Sequence, residues 1–195
     1  MARKNIKSKR IILELLHNPN GNLTKYRLSK LTETNISWII QFLRKLEKKK
    51  IVINTKVINF DKLIDFYLEL DKKHKTFDFY LQQPLEYLKK IKIDYMLTTY
   101  SAENLIYHHL FASRNDIYVK EKDLQKIKED LFDNGLVGKG NLRLIVSNDD
   151  YIFKFTNNIK GVSIVSIPLL LIDLKREGGV CMKAYEYLVK KYVQR

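Results

Sequence analysis

Residues 35–50, NISWIIQFLRKLEKKK, gather the side chains whose chemistry is easiest to name. Gln41 offers an amide that pairs with an adenine edge, Arg44 a guanidinium fork that fits a guanine edge, and Lys45 and Lys48 ammonium groups for phosphate. Trp38 stands on the same side. The other side is apolar: Ile39, Leu43 and Leu46 fall at i, i+4 and i+7, and Ile36 and Phe42 widen the stripe. Asn35 or Ser37 can supply the oxygen that caps the first turn. An amphipathic helix with this polar face suits a DNA groove. A helix face that is merely solvated carries the same charges, so the neighbouring sequence has to decide.

Charge decides in favour of nucleic acid. The chain has 195 residues and a formal net charge of +14. Residues 1–60 hold 14 Lys+Arg against 3 Asp+Glu, which leaves 22 against 19 for residues 61–195. Cationic excess confined to the first third is the footprint of a nucleic-acid-binding module joined to a near-neutral partner domain. A single cysteine, Cys181, excludes an internal disulfide and makes a reducing compartment the default. The N-terminus lacks the apolar run of a signal peptide, and residues 162–172, the most apolar run, are too short to span a bilayer. A soluble, cytoplasmic protein with no membrane contact is expected.

Other residues with chemical potential are less persuasive. His108 and His109 are adjacent, so on a helix they point about 100° apart and do not converge on a metal; one packed and one exposed histidine is expected. The GLVGKG run at 135–140 follows a helix and precedes a strand, and Lys139 is followed by Gly, not Ser or Thr, so a turn is expected and not a phosphate loop. Asp149-Asp150 reads as a polar turn. Cys181 has no activating partner in sequence. Tyr100, Tyr107 and Tyr118 read as core aromatics. No cofactor and no metal site follows from these residues.

The elements that position residues 35–50 are short and ordered. Residues 6–17 form a first helix, with Ile12, Leu15 and Leu16 inward and basic residues outward. Asn18-Pro19-Asn20-Gly21 ends it. Thr24 caps a short helix, KYRLSKL, and a polar turn leads into the long one. Residues 51–53 and 56–58 read as two β-branched strands around Asn54-Thr55. Residues 61–75 read as a connecting helix, 77–81 as a strand or its continuation, and 85–92 as a helix opened by Pro84. From residue 94 onward strands alternate with helices: strands at 95–99, 116–119, 142–146 and 162–167, helices at 101–110 (capped by Ser101), 121–132, from Pro168 to the Gly178-Gly179 stop, and 182–193. The expected fold class is α+β, divided into a DNA-binding domain over 1–60, a helical connector over 61–93 and a mixed α/β domain over 94–195.

The order in the first third, with LSKLTETNISWIIQFLRKLEKKKIVI at its centre, resembles winged helix-turn-helix transcriptional regulators. The resemblance implies that the longer helix enters the major groove and the hairpin touches phosphates. Carried over by position, Asn35, Ser37, Trp38, Gln41, Arg44 and Lys45 match groove-facing places, and Lys25, Arg27 and Lys56 match backbone-contacting ones. Lys50 stands where a glycine is common, Trp38 is large for a base contact and suits a dimer interface or the first helix equally, and the hairpin is short. The second half, through TTYSAENLIYHHL, SRNDIYV and VSIVSIPLLLIDLKREGG, is similar to AbiEi-type antitoxins and archaeal regulators with a nucleotidyltransferase-like domain. In the active enzymes paired carboxylates hold Mg²⁺; here Asp116-Ile117-Tyr118 supplies one, which implies a retained fold with lost chemistry.

The expected function is therefore a sequence-specific double-stranded DNA-binding transcriptional regulator, of which an autoregulating antitoxin is one form. A homodimer and a protein partner such as a toxin, held by the C-terminal domain, go with it. The rival reading is a Mg²⁺-dependent nucleotidyltransferase acting on nucleic acid through Asp116 and Asp149; an RNA-binding module is a third.

Overall fold

A computed structural model describes residues 2–71, 73–134 and 136–193. The chain is a mixed α+β protein that divides into two units, residues 1–72 with 188–195, and residues 73–187.

In the first unit, α1 (Ala2–His17) is the hub. Ile11, Ile12, Leu15 and Leu16 are fully buried, and so nearly are Ser8, Lys9 and Glu14. The expectation of an outward basic side holds for Lys7, which is exposed, but not for Lys9, buried against Asp71 at 2.6 Å, while Arg10 is half-buried and paired with Glu33 at 3.3 Å. The helix also begins four residues earlier than the apolar pattern alone marks. The helix α2 (Lys25–Leu31) starts at Thr24, whose hydroxyl accepts the Arg27 N–H at 3.1 Å. In α3 (Ile36–Lys48) the Asn35 side chain accepts the Ser37 N–H at 2.8 Å, so Asn35 is the cap, and Ile39, Phe42, Leu43 and Leu46 are buried. β1 (Val52–Ile53) pairs antiparallel with β2 (Lys56–Val57). Asn20 bridges Lys56 as a third, one-residue strand. Gly21 makes this close approach: at φ +83° its Cβ would lie 2.9 Å from the Lys56 Cβ. Then α4 (Phe60–Leu70) buries Phe60, Leu63, Ile64, Phe66 and Tyr67. Phe66 lies 6.1 Å from Phe42, so this helix is part of the first unit's core. The chain's end joins it, with Tyr192 5.5 Å from Phe60 and its hydroxyl donating to the Leu16 carbonyl at 3.2 Å.

The second unit is a mixed sheet of seven strands. In chain order they are β3 (Thr76–Tyr80), β4 (Tyr95–Thr98), β5 (Asn115–Val119), β6 (Leu136–Val137), β7 (Leu142–Val146), β8 (Asn157–Ile159) and β9 (Val162–Ile164), and their order across the sheet is β6-β3-β7-β5-β4-β9-β8. β5 runs parallel to β7, and β4 parallel to β9; the other pairs are antiparallel. Helices α5 (Pro84–Lys90), α6 (Thr99–Tyr107), α7 (Leu124–Asn134) and α8 (Ile167–Glu177) complete it, with α9 (Cys181–Val193) as far as Tyr187, the rest of that helix belonging to the first unit. Residues 76–80 are thus a strand, and they share a sheet with residues beyond 94. Ser101 is not a cap: its hydroxyl donates to the Arg114 carbonyl at 2.9 Å, and the helix starts at Thr99. β8 and the 3₁₀ turn over Asp150–Phe155 carry no clear pattern in the sequence. Gly135 lies outside the described residues. The apolar run from 162 becomes a short strand and a buried helix, and among the described residues no helix is long and apolar enough to cross a membrane.

Candidate nucleic-acid interface

The outward side of α3 is built by its core side. Four buried residues fix the helix rotation, and the remaining positions then have no choice of direction. Ser37, Gln41, Arg44 and Lys48 follow one another at spacings of four, three and four, which is one line along the helix, and all four are exposed. Trp38 and Lys45 lie off that line. Trp38 is half-buried in a cleft of about 230 Å³ lined also by Asn5 and Ser8 of α1 and by Gln41 and Lys45. Of the places open to it, this is the one against the first helix. The Lys45 and Lys49 ammoniums lie 5.0 and 5.2 Å from the Phe66 ring of α4, on the same flank.

The opposite flank differs in chemistry. Glu47 there accepts the Asn54 N–H at 2.8 Å, and Ile53 and Ile58 are exposed. The Thr55 hydroxyl lies within hydrogen-bond distance of the Gly21 and Leu23 carbonyls, at 3.2 and 2.6 Å. The hairpin tip is therefore fastened to the loop that precedes α2. Lys56 is exposed next to that tip, in the middle of the three short strands, while Arg27 is exposed and Lys25 half-buried on α2. Among the described residues Lys25, Arg27, Arg44, Lys45, Lys48 and Lys56 form no ion pair with a carboxylate. Such charges attract an external polyanion without first breaking an internal bond. Lys50 has φ +56°, its N–H donates to the Glu47 carbonyl at 2.8 Å, and the Ile51 N–H donates to Leu46 at 3.0 Å. It closes α3 in the left-handed conformation, which explains why glycine suits this position. The cleft with Asn5 has no counterpart in the sequence reading, because no local pattern joins residue 5 to residue 38.

In the second unit the carboxylates of the rival reading are kept apart. Asp116 is near the start of β5, while Asp149 follows the end of β7, so they sit at opposite ends of two parallel strands. Asp116 is buried and both its oxygens are engaged. Arg114 donates to them at 2.5 and 2.9 Å, and the Thr99 hydroxyl donates as well. Thr99 holds φ +48°, a strained conformation for a β-branched residue. Arg114 also reaches Glu177 at 3.0 Å, and Asp116 lies in register with Arg143, which makes a paired fork with Asp78 at 2.7 and 3.0 Å. That fork holds the Asp78 carboxyl below its usual range. Guanidinium groups occupy the place where a cation would need open carboxylates. The Asp149 side chain accepts the Tyr151 N–H at 3.2 Å and caps the 3₁₀ turn. Among the described residues no three His, Cys, Asp or Glu side chains could hold a metal together. His108 and His109 are both exposed, not one packed and one exposed; His108 closes α6 at φ +60° and His109 meets Tyr187 edge-on with ring centroids 4.2 Å apart.

A second cleft, of about 480 Å³, lies between the segment after α6 and the start of α9, with Phe111, Val180 and Tyr187 among its walls. These three side chains are 86, 65 and 47% exposed. The segment is held from beneath: the buried Glu103 carboxylate accepts the Leu110 N–H at 2.7 Å, and the Asn104 amide donates to the Leu110 carbonyl at 2.7 Å. Comparison with known protein families, with curated proteins and with solved structures returned no match.

Proposed function

We propose that the first unit is a winged helix-turn-helix and that the protein is a sequence-specific double-stranded DNA-binding transcriptional regulator. The observation that carries this is the line Ser37, Gln41, Arg44, Lys48 on α3, exposed and without internal carboxylate partners. The element order supports it: helix, one-residue strand, short helix, turn, longer helix, hairpin. Gln41 and Arg44 read base edges, and Lys48, Lys25 and Arg27 neutralise phosphates. The second unit keeps a nucleotidyltransferase-like strand–helix–strand, β4–α6–β5, with its charged residues spent on one another, and serves as the dimerisation or partner-binding domain. An autoregulating antitoxin holding a toxin there is one form of this reading.

Selection of bound duplexes from a random pool tests it. Arg44→Ala is expected to relax base preference at one position and weaken specific binding by about 1–3 kcal/mol. Lys48→Ala is expected to weaken all duplexes alike and lower the salt slope by about one unit. Failure to enrich any duplex, or tighter binding of RNA in competition, sinks the proposal.

A further inference from the structure

The two flanks of α3 are unequal, and the inequality says where the sugar–phosphate backbone can be held. On the hairpin side the strands are two residues long and the tip is fastened down by Thr55. Lys56 is the one cation between residues 51 and 58, and the Glu47 carboxylate and two exposed isoleucines share that side. A hairpin so short and so anchored cannot follow a phosphate chain away from the groove. On the α1 side there is a cleft, and it opens beside Gln41. It is lined by Asn5, Ser8, Trp38, Gln41 and Lys45 with the apolar Phe42 and Leu70, and among the described residues no carboxylate lines it. The Asn5 amide spends one N–H on the Leu70 carbonyl at 3.4 Å and keeps its second. The second Asn5 amide hydrogen and the Lys45 cation suit the anionic oxygens of a phosphodiester, and the indole of Trp38 supplies an apolar wall for its deoxyribose.

We propose that this α1–α3 cleft seats the DNA backbone next to the bases that α3 reads, so that the first helix, and not the hairpin, is the second anchor on the duplex. The inference rests on the DNA-binding reading of α3 and adds to it a positioning role for Asn5, Trp38 and Lys45. It also gives a purpose to the large ring at residue 38, which is awkward as a base contact and apt as a wall.

Trp38 is the chain's only tryptophan, so its emission reports on the cleft directly. The full-length protein is titrated with a duplex enriched from the random pool, while tryptophan emission and the anisotropy of the labelled duplex are followed together. Emission is expected to change and to saturate at the same duplex concentration as anisotropy. Two isosteric substitutions then place one negative charge on each flank. Asn5→Asp in the cleft is expected to weaken every duplex by roughly tenfold, and Asn54→Asp at the hairpin by much less. Lys45→Ala is expected to lower the salt slope by about one unit and Lys56→Ala to leave it unchanged. Binding that survives Asn5→Asp but falls with Asn54→Asp or Lys56→Ala, or that leaves Trp38 emission untouched, overturns the inference while the DNA reading stands. Equal losses on both flanks overturn it too. If no duplex binds at all, the underlying reading fails and the cleft goes with it.

Discussion

Lys50 shows how a single residue can hold a position against its own preference. Its φ of +56° closes α3, and two backbone hydrogen bonds depend on that conformation. An L-residue with a Cβ is disfavoured there by about 1 kcal/mol relative to glycine. Lys50→Gly is therefore expected to raise the unfolding free energy by about 1 kcal/mol, read from denaturant midpoints at constant m-value. An unchanged or lower midpoint means that the lysine side chain contributes something the geometry does not account for. Thr99 is the contrasting case. It is strained in the same region of backbone space, but its hydroxyl engages the buried Asp116, so relieving the strain there also removes a hydrogen bond from a buried carboxylate.

At the scale of elements, α8 carries the sharpest consequence of burial. Its residues from Pro168 to Leu174 are all buried, and Asp173 is among them. Burial pushes the Asp173 carboxyl up, against Arg176 at 2.7 Å and the Thr98 and Tyr118 hydroxyls at 2.7 and 2.9 Å, which favour the charged form. A raised folded pKa means that the folded state binds the proton more tightly than the unfolded one. Stability is then highest below the ordinary carboxylate range and falls as pH rises through the raised value. Asp173→Asn is expected to flatten that fall when unfolding is measured between about pH 4 and pH 8; a slope identical to the parent's refutes this account of the carboxyl. The sequence made this helix legible as an apolar run opened by proline, and it made α3 legible too, because buried and exposed positions there alternate at helical period. It did not reveal that residues 8–16 of α1 are all buried but Arg10, since Lys9 and Glu14 read as surface residues until Asp71 and the surrounding helices are in place. The line from Ser37 to Lys48 was readable from local spacing alone. The Asn5–Trp38 cleft and the row of Thr98, Asp116, Arg143 and Asp78 across four strands depend on register and packing, which no local pattern encodes.

At the scale of the whole molecule, one unit carries the cationic excess and the other an apolar cleft, and under the DNA-binding proposal they set two conditions. A single head of this size contacts few base pairs, and a two-fold dimer extends the site by pairing half-sites about 34 Å apart. A second copy of the chain is the occupant that would let the cleft of Phe111, Val180 and Tyr187 serve that end. The segment bearing Phe111 is already fixed by Glu103 and Asn104, so little ordering cost opposes docking there. Exposed aromatic side chains on a rigid support are the usual centre of an interface. The protein is accordingly expected to be dimeric at micromolar concentration by light scattering. Phe111→Glu with Tyr187→Glu is expected to yield a folded monomer that still binds DNA through one head, with affinity lowered by roughly a hundredfold as avidity is lost. Duplexes selected by the parent should be palindromic, and those selected by the double variant should contain one half-site. A parent that is monomeric at that concentration, or a double variant that remains dimeric, places the self-association surface elsewhere and leaves this cleft for a partner of another kind.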